Sequence, residues 1–479
     1  MAEAPTQLAH RFPAAARADW LALAERALKG APIETLQSRT GDGVVIEPLY
    51  APDRAVTAEP FDPAPRPAGR SWEIRVPVRH PQIARANAET REALEGGAAS
   101  VVCAIDPDGE SGVQVGGAED MARLLDGVLT DLAPVALDAG FLGAHAAQWL
   151  ANAAKASPIA PLAFHLDPLG AFVRSGASPG PIESHVAACA GVAARLAAPH
   201  PKASLFLASG VAVHEAGAGD AAEIAFAAAS ALAYARALEV AGLPPAEGLA
   251  RIVIGLAVDG DPLVSVSKLR AARMVWRRIT LACGAPCAAR IEARSSRRML
   301  TRADPWTNLV RLTAAGFAAA VGGADAIVLG AFTDAVSLPA SLARRLARDT
   351  GLILMEEAHV GAVVDPAGGG WAFESLSAAI ARAAWESLRA IEAAGGAARA
   401  LSTGLIAEWA KNGRHELEKK IKSGELKIIG VTDFRLDKSE AVEIETAKPI
   451  PTRAPDPRLP GPDSHCSQLT PILLEELAR

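Results

Sequence analysis

Few residues in this chain have the types and spacing that chemistry needs, and most of them follow short apolar runs. His214 beside Glu215 sets an imidazole, which titrates near neutrality, next to a carboxylate. The two could act as an acid–base pair or simply cap the helix that follows. Glu356, Glu357 and His359 offer ligands for a divalent cation, or acids that pair with arginines. Arg294, Arg297, Arg298 and Arg302 suit either a phosphate-bearing ligand or a carboxylate-rich surface on a partner chain. The run Gly368-Gly369-Gly370 permits positive φ before a helix but lacks the Lys-Ser/Thr of a phosphate-binding loop. Cys283 and Cys287 lie four apart, and no second pair or nearby histidine completes a metal set, so they read as ordinary thiols.

Composition narrows what these residues can serve. The chain has 479 residues, half of them apolar, and a formal net charge of −6. It carries no basic block of the kind that binds nucleic acid. Five scattered cysteines do not make a disulfide framework. The first thirty residues include Arg11, Arg17, Asp19, Glu25 and Arg26, so no signal peptide is expected there. No stretch reaches about 18 consecutive apolar residues, so no membrane span is expected. The expected location is the cytoplasm.

The elements that would position these groups alternate along the chain. A helix is expected at 13–29, closed by Gly30 and Pro32, followed by a proline-rich arm over 48–67. Apolar runs then recur at 100–105, 134–137, 162–166, 204–208, 252–258, 289–293, 326–329 and 352–355, with helical stretches such as 220–241 and 264–283 between them. Most do not alternate, as suits parallel strands buried on both faces. Eight strand–helix units predict an α/β fold, a closed (β/α)8 TIM barrel, rather than two Rossmann-like halves. Residues 1–71 form an arm, 72–397 the barrel and 398–479 a linker and tail. That tail holds six prolines between Pro449 and Pro462 and a last helix at 470–478. A barrel places reacting groups where strands end. The segments to inspect are therefore His165 to Gly170, Ser209 to Glu215, Arg294 to Trp306 and Asp365 to Gly369.

Several long motifs in these segments carry a resemblance. Asp365-Pro366-Ala367-Gly368-Gly369-Gly370-Trp371, continuing to Glu374, is one. Arg270 to Ile279, Leu300 to Arg311 and Gly322 to Ile327 are others, with Leu28 to Pro32 and Ile46 to Tyr50 near the start. Together, over residues 18–435, they resemble the methylmalonyl-CoA mutase family. Its catalytic members bind adenosylcobalamin and rearrange acyl-CoA carbon skeletons through radicals. Their cobalamin sits on a separate C-terminal domain, held by the His of an Asp-x-His-x-x-Gly motif. The tail here reads Asp463-Ser464-His465-Cys466, so no cobalamin-binding domain is expected.

The barrel departs from the catalytic pattern at its site. Where those relatives read Ser-Gly-Tyr-His, this chain has Ser209-Gly210-Val211-Ala212. The family's substrate-binding His position is thus Ala212, and the neighbouring Tyr position is Val211. The Tyr of the Arg-Gln-Tyr-Ala-Gly motif has no counterpart between Trp72 and Pro81. Thr-Ser-Gly-Trp-Ser-Leu becomes Ser295-Ser296-Arg297-Arg298-Met299-Leu300. Arg-Asn-Thr-Gln becomes Arg348-Asp349-Thr350-Gly351, which implies a lost polar contact. Two guanidinium groups at a barrel mouth do not suit a dry radical pocket. The pattern resembles the small (β), non-catalytic subunit of a heterodimeric mutase, with no catalytic, cofactor-binding or metal-ligating residue of its own. It implies a large (α) subunit as partner, which holds the adenosylcobalamin. The other readings are a catalytic barrel subunit that uses a cobalamin domain on another chain, and a stand-alone scaffold. Retention of the His and Tyr would mark the first.

Overall fold

The computed structural model describes residues 16–51, 71–437 and 440–478. Eight parallel strands close into one barrel: β1 (Glu73–Val78), β2 (Ser100–Ala104), β3 (Val135–Asp138), β4 (Ala163–Leu166), β5 (Ser204–Ser209), β6 (Ile252–Val258), β7 (Arg290–Ser295) and β8 (Ala326–Val328). Neighbours pair in chain order, Arg75 opposite Ser100 and Val101 opposite Val135. The ring closes where Ala326 of β8 meets Glu73 of β1. Every residue of β5 and β6 is buried, because helices cover the outer wall and side chains fill the inner one. The β4–β5 register shifts between Ala163 and Leu166, and His165 there has φ +45°. That bulge aims an imidazole where a regular strand would not.

Two strand expectations are corrected. The run at 352–355 is not the eighth strand: the helix Ser341–Leu352 continues there into a π-helical turn, Ile353–Glu357. The missing strand is β1, whose Glu73, Arg75 and Pro77 break up its apolar run. The first helix spans Arg17–Ala27 among described residues, and the proline-rich arm from 52 to 67 lies outside them. The last helix is shorter than expected, Leu474–Leu477, because Thr470 and Pro471 stay extended. Among the described residues one helix, Asp220–Val240, is long and apolar enough to cross a membrane. It packs as a core helix between the barrel wall and the helix Trp371–Ala393.

The C-terminal segment runs round the rim at which the strands end. Ile444–Glu445 pairs with Leu338–Pro339 beyond β8, and the Glu445 carboxylate lies 2.6 Å from Arg85 beyond β1. Thr452 N–H donates to Pro107 O beyond β2, at 2.9 Å. Ser464–His465 pairs with Ala177–Ser178 beyond β4. Ile472 N–H donates to Glu215 O beyond β5, and the Glu475 carboxylate accepts from Arg302 N–H beyond β7. The belt therefore touches the rim in strand order.

Candidate functional site

Behind the mouth the barrel axis is filled by charge. Arg75 of β1 donates from Nη1 to Glu292 of β7 at 2.5 Å, from Nη2 to Glu73 at 2.6 Å and from Nε to Ser100 Oγ at 3.0 Å. Arg294 donates to Glu292 at 2.7 Å and, from the opposite wall, to Asp138 of β3 at 3.2 Å. Glu73/Arg75 and Glu292/Arg294 are spaced by two, so each pair shares the inner face of its strand. Burial alone would raise the Glu292 carboxyl, but the guanidinium groups of Arg294 and Arg75 hold it well below the usual range. His165 lies 3.9 Å from Glu292, and burial pushes it down to about 3, so it is neutral. These groups form the floor of a cavity of about 740 Å3 that opens at the N-terminal end of the barrel. The Arg294–Asp138 pair spans the bore above it.

At the mouth, the short helix Val211–Glu215 carries Ala212 and His214, both buried. His214 Nε2 lies 3.0 Å from Ser296 Oγ, and Nδ1 lies 3.2 Å from Glu223 Oε2. A hydroxyl, an imidazole and a carboxylate in that sequence have the layout of an acyl-transfer relay. Three facts withhold that chemistry. Ser296, His214 and Glu223 have no exposed surface. Lys268, also buried, places its ammonium 2.8 Å from Glu223 and 2.9 Å from Asp220, so the carboxylate charge is already matched. Burial, then Arg298 and Lys268, push His214 well below its ordinary value. His214, Asp220 and Glu223 also have the spacing of a metal set, but the ammonium of Lys268 stands among their oxygens where an ion would sit.

The arginine cluster proves to be loop cement. Arg298, nearly buried, donates to His214 O at 3.0 Å and Ala218 O at 3.2 Å, with Asp259 at 3.4 Å. Arg297 N–H donates to Glu215 Oε1 at 2.7 Å, and Arg302 pairs with Glu476 of the belt at 2.7 Å. Burial raises Glu215 to about 7. Glu356, Glu357 and His359 follow the helix that replaces the expected eighth strand, so they are not at the mouth. Asp365 and Glu374 both clamp Arg270 of the helix Pro262–Ala282, which makes the glycine-rich motif structural. A side chain at Gly351 would meet Ile74 on the barrel wall, so this position also faces packing. Neither Glu223 nor Lys268 was singled out from sequence; a charged residue inside an otherwise apolar helix was the available signal.

A family model described as methylmalonyl-CoA mutase matches residues 58–455. The chain belongs to the methylmalonyl-CoA mutase family. The methylmalonyl-CoA mutase small subunit of Streptomyces virginiae is 35% identical over 93% of this chain and 74% of its own length. The small subunit of Propionibacterium freudenreichii subsp. shermanii is 30% identical over 93% and 73%. A methylmalonyl-CoA mutase of Cereibacter sphaeroides is 28% identical over 89% and 65%. The family's reaction is an isomerisation that uses adenosylcobalamin. His214, two residues from the family's His position, is fully buried with Nε2 on Ser296 Oγ at 3.0 Å, so its ring does not face the mouth as a ligand for that group.

Proposed function

We propose that this chain is the non-catalytic small (β) subunit of a heterodimeric methylmalonyl-CoA mutase. A large (α) subunit would carry the adenosylcobalamin and the acyl-CoA pocket, and the complex would interconvert succinyl-CoA and (R)-methylmalonyl-CoA in the cytoplasm. The observation that carries this reading is the Arg294–Asp138 pair across the bore, with Ala212 and Val211 at the positions of the family's His and Tyr. A long ligand threaded along the axis would have to break the ion pairs of Arg294 with Asp138 and Glu292, the latter fully buried.

The first helix supports a partner. None of its residues is buried, and Leu23 is exposed while Trp20 and Leu21 are half-covered. Ordering such an arm costs about 1–2 kcal/mol per residue of backbone, which a partner surface must offset. Co-expression with an α subunit is expected to give a 1:1 complex by size exclusion with light scattering. Recovery of only separate species would contradict the assignment.

A further inference from the structure

Outside the bore, a second cavity of about 30 Å3 lies between the outer wall of β1 and β8 and the helix Ser341–Leu352, partly open to solvent. Its walls are Ile74, Val76, Ile327, Leu329 and Leu354. It exists because Gly316 and Gly351 bring no side chains: a Cβ on Gly316 would meet Leu329 at 3.1 Å, and one on Gly351 would meet Ile74 at 3.2 Å. At about 10–15 Å3 per water-sized occupant, the space takes an apolar group of about two to three heavy atoms.

Three buried polar atoms in the lining have no hydrogen-bond partner among the described residues: Trp72 Nε1, Arg344 Nη2 and Arg348 Nε. The Arg348 side chain is 10% exposed, and its Nε has no hydrogen-bond partner among the described residues. Its other contacts are long: Nη1 to Glu92 O at 3.5 Å, and Nη2 to Asp349 Oδ1 at 3.4 Å. Gly96 lies flat against the guanidinium, which leaves no room for a protein side chain there. Arg344, beside it, is already held by Glu89 and Glu445 at 3.0 Å. A buried guanidinium with its hydrogen bonds stretched or missing favours a carboxylate, which can accept two parallel bonds.

We propose that this cavity is a binding site for a short-chain monocarboxylate of about three to four carbons, its carboxylate on Arg348 and its alkyl tail between β1, β8 and the helix Ser341–Leu352. The site is separate from the mouth and the bore, and it stands whether or not the subunit assignment does.

The test is calorimetric unfolding of the full chain with sodium propanoate, butanoate and octanoate, and with butanamide as the neutral isostere. At ten times Kd the expected rise in Tm is about 1–2 °C for the two short acids. It should be absent for butanamide, smaller for octanoate, and lost in both Arg348→Gln and Ala347→Leu. Ala347 lines the cavity, so the second variant fills the chamber and leaves the guanidinium in place, and a folding defect in the first does not decide the result. Equal shifts in wild type and Ala347→Leu would mean an ordinary salt effect and overturn the proposal. So would an equal shift with butanamide, which would mean an apolar void only, or no shift with any of the acids.

Discussion

Lys268 is buried with its ammonium between Asp220 and Glu223, and those carboxylates keep it charged despite burial. Replacement by methionine leaves two acids without a counter-charge in a dry interior. Lys268→Met is therefore expected to lower unfolding stability by about 3–5 kcal/mol in urea titration, with much of the loss recovered in Lys268→Met/Glu223→Gln. Glu215 makes a pH-dependent contribution. Its carboxyl is raised from 4.5 to about 7 in the folded chain, so the folded state binds more protons than the unfolded one between those values. Stability then falls as pH rises through that window, by up to ~3 kcal/mol for a shift of this size. Glu215→Gln cannot lose that proton. Unfolding free energies at pH 5 and pH 7.5 should show a smaller decline in the variant than in wild type, and an identical decline would refute this role.

At the scale of elements, the belt and the arm make opposite predictions. The belt is fastened to the barrel by Glu445, the Ser464–His465 ladder and Glu475, so removing residues 440–479 should lower Tm and expose the rim to protease. No residue of the helix Arg17–Ala27 is fully buried, so deleting residues 1–36 should leave Tm of the isolated chain within about 1 °C. The same deletion should abolish the complex with the α subunit in size-exclusion experiments. Most barrel strands were legible because nearly uninterrupted apolar runs mark strands buried on both faces, and β7 was legible at 289–293 although Arg290 and Glu292 alternate within it. β1 was not, since its inward residues are Glu73 and Arg75 and Pro77 interrupts the rest. The same ionic bore misled in the other direction: with β1 unseen, the apolar end of the helix Ser341–Leu352 was taken to complete the eight. Of the site, the altered Val211 and Ala212 were visible by comparison with the family's motif. The contacts that close it were not, because Lys268 and Glu223 meet His214 across three separate elements.

For the whole molecule, the scaffold motifs hold the barrel together while the axis is occupied by its own charges. Arg270 with Asp365 and Glu374, and Asn308 with Thr301 and Phe332, keep the helices and loops in place. Arg75, Glu292, Arg294 and Asp138 fill the bore that the helices enclose. A barrel built this way can present a fixed outer surface to a second subunit without holding substrate itself. The most direct test is titration calorimetry of methylmalonyl-CoA into the purified chain and into its complex with the α subunit. The isolated chain should give no binding heat at micromolar concentrations and the complex one equivalent per heterodimer; micromolar binding by the chain alone would contradict the account.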